Sequence, residues 1–302
     1  MILYRWQGRA RNYGDELNTV LWPSLLPGFF DNDPGISFLG IGSILDRRHR
    51  GSELKLVAGS GYGGYEAPPM LGHDWDIHWV RGPRTARLLG LPLALGLGDP
   101  AILLPCTGLT YNGVGPTQLR TRVGFMPHFE SAAGGAWDRA AAATGITLID
   151  PRGDPLAITA AISRCSVLLS EALHGVIVAD ALRVPWIAIE PQAAIHRSKW
   201  LDWAESLKLS IDFHRVYPSS LLERARLSGL MSFHAGRCLL DRHADRLRRI
   251  GAEYYTHHAS SALRRAALAT PQLSSRHELE RCQNQMLDKL NGMRRTHLRP
   301  SP

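Results

Sequence analysis

The sequence predicts an α/β fold of two parallel-sheet halves followed by a helical extension, and three observations carry that reading. Val167 to Glu190, VLLSEALHGVIVADALRVPWIAIE, joins a short apolar run, an apolar segment of helix length and a second short run. Strand, helix and strand in so short a stretch form a βαβ unit, which implies a parallel sheet. Earlier in the chain, Leu54 to Ala58 (LKLVA) is another buried-strand run, and it opens into Gly59-Ser60-Gly61-Tyr62-Gly63-Gly64. From Ser219 onward the chain reads as helical, and over Leu221–Met231 and Cys238–Ile250 apolar residues recur at helical spacing with arginines between them.

Inside the βαβ unit, Ser170 stands where an N-cap belongs and Glu171 at the first helical position, where the helix dipole favours negative charge. From Glu171 to Leu182 the segment is apolar on nearly every side, as in a buried helix. His174, followed by Gly175, breaks that character near the start. Ligands of parallel sheets gather outside the carboxyl ends of strands, where helix N-termini offer free N–H groups to anions. A lone histidine there is either a packed or capping residue or a functional one; the motifs below favour function.

In chain order, Met1 to Trp6 is a first strand, and Gly14-Asp15-Glu16-Leu17-Asn18 begins a helix reaching Trp22. Asp15 either caps that helix or holds an acceptor hydroxyl. Phe38 to Ile44 is a strand and turn. The glycines after Leu54–Ala58 can set backbone N–H groups against a ligand, but they do not form G-x-G-x-x-G opening a helix. Ile77 to Val80 is a strand, and Arg81 and Arg84 flank Pro83 at the start of a helix ending at Gly90. The two arginines are either exposed ion-pairing charges or cations beside a cleft. Leu97 to Pro105 is a loop running into an apolar segment. Cys106 to Leu119 is rich in Gly, Thr and Pro and reads as an inter-domain linker.

The second half opens with a strand at Thr121 to Met126 that delivers His128 at its carboxyl end. A helix at Ala133–Thr144, a strand at Thr147–Asp150 and a helix at Asp154–Ser163 lead into the βαβ unit. An amphipathic helix, Trp200 to Leu209, follows it. Further helices are expected at Leu221–Met231, Cys238–Ile250, Ser261–Leu268 and His277–Leu290, with a break at Ala269–Ser275 and a frayed end from Arg294. The expected domains are therefore residues 1–118 and 119–218, both Rossmann-like, and a basic helical extension over 219–302. This is a GT-B-like layout, with a cleft between two sheet domains.

The 302 residues carry a net charge of +8, and the whole excess lies in the extension. Residues 221–302 hold 15 Lys/Arg against 7 Asp/Glu, whereas the rest hold 20 of each. Such asymmetry points to an acidic partner, either an anionic membrane surface or nucleic acid. No recognition helix or aromatic interleaving accompanies the basic tail, which disfavours nucleic acid. No apolar run approaches the ~20 residues of a membrane-spanning helix, and the first residues lack the apolar centre of a secretory signal. A cytoplasmic protein is expected. Cys106, Cys165, Cys238 and Cys282 are widely spaced and read as free thiols. No group of histidines and acids has metal-ligand spacing, so no metal is expected. Trp75, Trp79, Trp186, Trp200 and Trp203 read as core more than as a stacking platform.

Seven short stretches in order tie these elements to a known family. They are Asn12-Tyr13-Gly14-Asp15-Glu16-Leu17, Ala58-Gly59-Ser60-Gly61, Val80-Arg81-Gly82-Pro83-Arg84-Thr85, Gly98-Asp99-Pro100-Ala101, Pro127-His128-Phe129, Ser170-Glu171-Ala172-Leu173-His174-Gly175 and Arg197-Ser198-Lys199-Trp200. On them, the chain resembles the polysaccharide pyruvyl transferases, especially the exopolysaccharide ketal-pyruvate transferases of succinoglycan and xanthan type. The resemblance covers residues 4 to about 210 and not the tail.

That resemblance implies transfer of the pyruvyl group of phosphoenolpyruvate to two sugar hydroxyls, giving a cyclic ketal and phosphate without a cofactor. Many members carry an Arg-Leu-His triplet; here it reads Ala172-Leu173-His174, so another cation must replace the arginine. Arg81, Arg84 and Lys199 are the candidates, with Ser60, Gly61 and Gly175 completing the expected phosphoenolpyruvate site. The donor's phosphate and carboxylate call for guanidinium or ammonium groups and helix N-termini. His174 is the expected general acid. His128 is expected to bind phosphate or share the proton work, and Glu171 or Asp15 to orient or deprotonate the acceptor. The acceptor implied is a lipid-linked oligosaccharide at the inner membrane, which the basic tail would contact peripherally. The alternatives are a GT-B glycosyltransferase with a nucleotide-sugar donor, and an inactive scaffold of a polysaccharide assembly.

Overall fold

The computed structural model describes residues 1–8, 10–49, 51, 53–109, 122–191, 196–228 and 239–297. Two wholly parallel sheets dominate it. The first has four strands in sequential order: β1 (Ile2–Tyr4), β2 (Ile36–Leu39), β3 (Leu54–Ala58) and β4 (Trp75–Trp79). Helix α1 (Tyr13–Leu25) crosses from β1 to β2, and α2 (Pro83–Leu88) follows β4. Leu56, Val57 and Ala58 of β3 are fully buried, as a continuous apolar run in a covered parallel sheet requires.

The second sheet holds β5 (Arg122–Met126), β6 (Thr147–Leu148), β7 (Cys165–Ser170), β8 (Trp186–Pro191) and β9 (Phe213–Val216) in the order β6-β5-β7-β8-β9. That is the doubly wound order 2-1-3-4-5, whose ligand site lies where winding reverses, between the first and third strands. Here those are β5 and β7. Between these strands run α3 (Phe129–Gly134), α4 (Trp137–Ala142), α5 (Pro155–Ser163), α6 (Leu173–Ala181) and α7 (Arg197–Ser206). A single helix expected over Ala133–Thr144 is thus two, with Gly135 extended between them.

Helix α6 starts later than its sequence suggests. Ser170 is the last residue of β7 and closes a local turn by bonding the backbone N–H and carbonyl of Ala172. Ala172 is the N-cap residue, and Glu171 stands outside the helix. A serine that fits an N-cap also fits such a turn, and the parallel ladder with β5 holds it in the strand. β9 was not expected, because Phe213-His214-Arg215-Val216 is short and polar; it forms by pairing with β8.

The extension comprises α8 (Leu221–Leu227), α9 (Ala244–Arg249), α10 (Ala252–Ala266) and α11 (Arg276–His297). α10 begins earlier than expected, and the expected fraying at Arg294 is absent through His297. The end of the expected helix at Met231, Cys238, Thr121 and most of the expected linker lie outside the described residues. α11 returns to the first sheet. Leu279, Cys282, Met286, Leu290 and Met293 are buried in the same apolar cluster as Trp22, Phe38 and Ile102, and Gln283 donates to the Ile102 carbonyl at 2.8 Å. Among the described residues, Cys106 is exposed, Cys165 and Cys282 are buried, and no helix is long and apolar enough to cross a membrane.

Candidate active site

The carboxyl ends of the two sheets meet. Tyr13 at the start of α1 donates its backbone N–H to the Pro151 carbonyl at 2.9 Å, and its hydroxyl lies 2.8 Å from that of Thr159 on α5. These contacts set the N-terminus of α1 against α6. Gly14 is where they touch: a Cβ there would fall 1.9 Å from His174 Nδ1. Only a residue without a side chain lets the imidazole occupy this place.

The other imidazole nitrogen is met from a third direction. Gly59, at φ +96°, turns the chain sharply after β3, and a Cβ on it would meet Pro100 at 2.5 Å. The close approach seats Gly98-Asp99-Pro100-Ala101 at the mouth of the first sheet. Asp99 accepts from the Ala101 N–H through Oδ1 and places Oδ2 3.4 Å from His174 Nε2. Among the described residues these two buried atoms make no hydrogen bond, so at this ion-pair distance each has the other as its polar neighbour. The sequence reading left Asp99 in a loop without a role; its signal was a Gly-Asp-Pro that caps a 3-10 helix while the second carboxylate oxygen stays unused.

Asp15, one residue beyond Gly14, is buried and accepts from Asn12 Nδ2 at 2.7 Å. Burial raises its pKa above the ordinary carboxylate value, opposed by the charge of His174, the Asn12 hydrogen bond and the charge of Lys199. The loop over Asp15 is fixed by Asn18, which accepts from the Ile41 N–H and Trp22 Nε1 and donates to the Ile41 carbonyl. Lys199, in the first turn of α7, donates to the Tyr65 hydroxyl at 2.8 Å, and His196 packs on the same tyrosine ring at 4.8 Å. His128 sits at the end of β5, half-buried against Phe129. Burial first, then the neighbouring charges of Lys199 and His196, pushes its pKa down to about 3, so it is neutral at ordinary pH. His174, Asp15, His128 and Lys199 therefore share one electrostatic neighbourhood.

Other expected site residues have structural duties. The Arg81 guanidinium, 1% exposed, donates to Asp202 at 3.1 Å, to the Ser43 hydroxyl at 2.6 Å and to the Tyr62 carbonyl at 2.9 Å. It lies so close to Gly61 that a Cβ there would fall 2.3 Å from its Cζ. Arg84 pairs with Glu205 at 2.8 Å, tying α2 to α7. Ser60 is buried and donates to the Gly40 carbonyl at 2.5 Å. Gly175 lets α6 pack onto Ser170 and Met126, where a Cβ would come within 2.6 Å of both side chains. Glu171 is buried with both oxygens engaged, one by the His128 N–H at 3.0 Å and one by the Ser131 hydroxyl at 2.7 Å. Burial, outweighing those bonds, raises its pKa to about 6. A carboxylate so held braces the His128 turn.

A histidine, carboxylates and a lysine gathered where two parallel sheets meet are the features of an α/β enzyme. The chain belongs to the polysaccharide pyruvyl transferase family, whose profile matches residues 69–192. That span contains Asp99, His128, Glu171 and His174. Over 228 residues the chain is 38% identical to the succinoglycan biosynthesis protein ExoV of Rhizobium meliloti (strain 1021), covering 75% of this chain and 71% of that relative. No solved structure matches it significantly.

Proposed function

We propose that this transferase moves the pyruvyl group of phosphoenolpyruvate onto two hydroxyls of a sugar in an exopolysaccharide repeat unit, in the GT-B-like cleft between its sheets. The observation that carries the reading is His174 at the start of α6, with Asp99 Oδ2 3.4 Å from Nε2 and Gly14 against Nδ1. Asp99 holds the imidazole in place, and His174 delivers a proton to the enol methylene carbon. One sugar hydroxyl then adds to the adjacent carbon, phosphate leaves, and the second hydroxyl closes the ketal. The methyl group gains one proton and the hydroxyls give up two, the second of which departs with the phosphate.

Lys199 replaces the arginine absent at Ala172 as the cation for the donor's phosphate or carboxylate, with the free N–H groups of α6 beside it. Neutral His128 donates a hydrogen bond to the same anion, and Asp15, its pKa raised, receives an acceptor proton. Tyr65, half-exposed beside Lys199, offers the sugar a stacking face. No resident cofactor enters this scheme. The acceptor is a lipid-linked oligosaccharide at the cytoplasmic side of the inner membrane, met by the arginine-rich extension. The test is phosphate release from phosphoenolpyruvate with a crude lipid-linked acceptor. Release by the intact chain and its loss in His174→Ala would support the reading. Heat protection by a sugar nucleotide, with none by phosphoenolpyruvate, would overturn it.

A further inference from the structure

Away from the cleft, the last helix meets the outer edge of the first sheet through three side chains. Asp76 and His78 are alternate residues of β4, so they share one face of that edge strand. His297 comes from the last turn of α11. Asp76 Oδ2 lies 3.2 Å from His78 Nε2 and 3.4 Å from His297 Nε2. The three donor atoms all fall within 4.8 Å of one another.

The two spacings to Asp76 Oδ2 suit a common ion. Bonds of about 2.0–2.1 Å in a tetrahedral shell set neighbouring ligand atoms about 3.3 Å apart. Both imidazoles present Nε2, and the rings meet at 71°, with centroids 6.5 Å apart. His297 Nε2 is buried and makes no hydrogen bond among the described residues, a condition folded proteins normally avoid. The ring is braced edge-on by Phe29 at 6.4 Å. Lys289 weighs against a cation and Asp76 for it.

We propose that Asp76, His78 and His297 bind one divalent transition-metal ion of the zinc class, with solvent completing the shell on the open strand edge. Two imidazole nitrogens and one carboxylate oxygen match that class better than calcium or magnesium. The ion would staple the end of α11 to β4, the strand that leads into Val80 and Arg81. The role is structural and independent of the transfer chemistry. The site has no sequence signature, because Asp76 and His78 lie far from His297 along the chain.

The experiment equilibrates chelator-stripped full-length protein with zinc chloride, removes free metal and measures retained zinc by mass spectrometry. Cobalt(II) is run in parallel for its ligand-field absorption. The expected result is one ion per chain, a higher melting temperature with zinc, and binding weakened about a hundredfold or more in His78→Gln and in His297→Gln, beyond the 10–100-fold typical of losing a supporting residue. A His257→Gln/His258→Gln control keeps the ion. Failure of the wild type to retain zinc, or equal retention by the His78 and His297 variants, overturns the proposal. If His78→Gln loses its native circular dichroism, His297→Gln, at the end of the last helix, decides the question alone.

Discussion

At Gly14 a single methyl group would interrogate the proposed acid without altering it. An alanine Cβ would sit 1.9 Å from His174 Nδ1, so the imidazole must turn away while the rest of α1 keeps its contacts. Gly14→Ala is expected to lower kcat by about 10²-fold or more, the usual worth of a positioned acid, with far-ultraviolet circular dichroism unchanged. Asp99→Asn, which keeps the shape and removes the charge facing Nε2, is expected to lose less. Activity close to wild type in Gly14→Ala would remove His174 from the chemistry. Lys199 makes a second test. Its charge follows burial among the causes that depress His128, so Lys199→Met should raise the His128 pKa in an NMR titration while raising KM for phosphoenolpyruvate. Because the folded pKa is depressed, neutral His128 adds stability above its unfolded value of about 6.5. That stability is lost as pH falls toward about 3. At this scale the sequence showed which residue types matter but not where they point. Arg81 and Lys199 looked alike as cations beside strand ends. One is sealed against Asp202 and the other donates to the exposed Tyr65 hydroxyl, a distinction set by tertiary packing.

Helix α7 joins the two sheets through one carboxylate. Asp202 accepts from Arg81 Nε, from the Thr85 N–H at 2.9 Å and from the Thr85 hydroxyl at 2.6 Å, and Arg84 pairs with Glu205 one turn later. The same helix carries Lys199, so this anchor fixes where the cation stands. Asp202→Ala leaves a guanidinium buried without its counter-charge and is expected to cost about 3–5 kcal/mol, read as a lower urea midpoint. Arg84→Ala, on the exposed pair, should cost no more than about 1 kcal/mol. A second carboxylate ties α8 to the start of α4. Glu223 accepts from Trp137 Nε1 and from the Ser219 N–H and hydroxyl. Burial first, then the charge of Glu171, raises its pKa to about 8. A raised acid pKa means the protonated form is favoured in the fold. The stability it gives is complete below the unfolded value of about 4.5 and is lost as pH rises through about 8. Glu223→Gln should therefore flatten the fall in melting temperature across that window, and an unchanged slope would show that Glu223 is ionised throughout. Elements with continuous apolar runs were legible from sequence, as β3 shows residue for residue. β9 and the start of α6 were not, because pairing with β8 and β5 outweighed a polar composition and a cap-like serine.

Over the whole molecule, the extension belongs to the core and to the surface at once. α11 buries Leu279, Cys282, Met286, Leu290 and Met293 against the first sheet's helices, a face its many charged residues concealed in the sequence. Deleting the extension would therefore expose core and could not isolate a membrane contact. Charge can be altered where packing is not involved. Arg242, Arg246 and Arg249 are exposed, and Leu239, Ile250 and Tyr254 near them are apolar side chains left at 59%, 45% and 59% exposure. Basic and apolar groups presented together suit the boundary of an anionic bilayer. Each arginine near such a surface is worth about 1 kcal/mol, so neutralising three costs about 3 kcal/mol, a factor of over a hundred in partitioning. Arg242→Gln/Arg246→Gln/Arg249→Gln should thus leave the folded protein unbound to phosphatidylglycerol vesicles that pellet the wild type, with neither form pelleted by phosphatidylcholine. Phosphate release with a water-soluble acceptor should be unchanged, because none of the three lies among the residues that gather around His174. Equal sedimentation of both forms would mean that these arginines only solvate the helices, and any proposed contact with lipid would have to lie on another face.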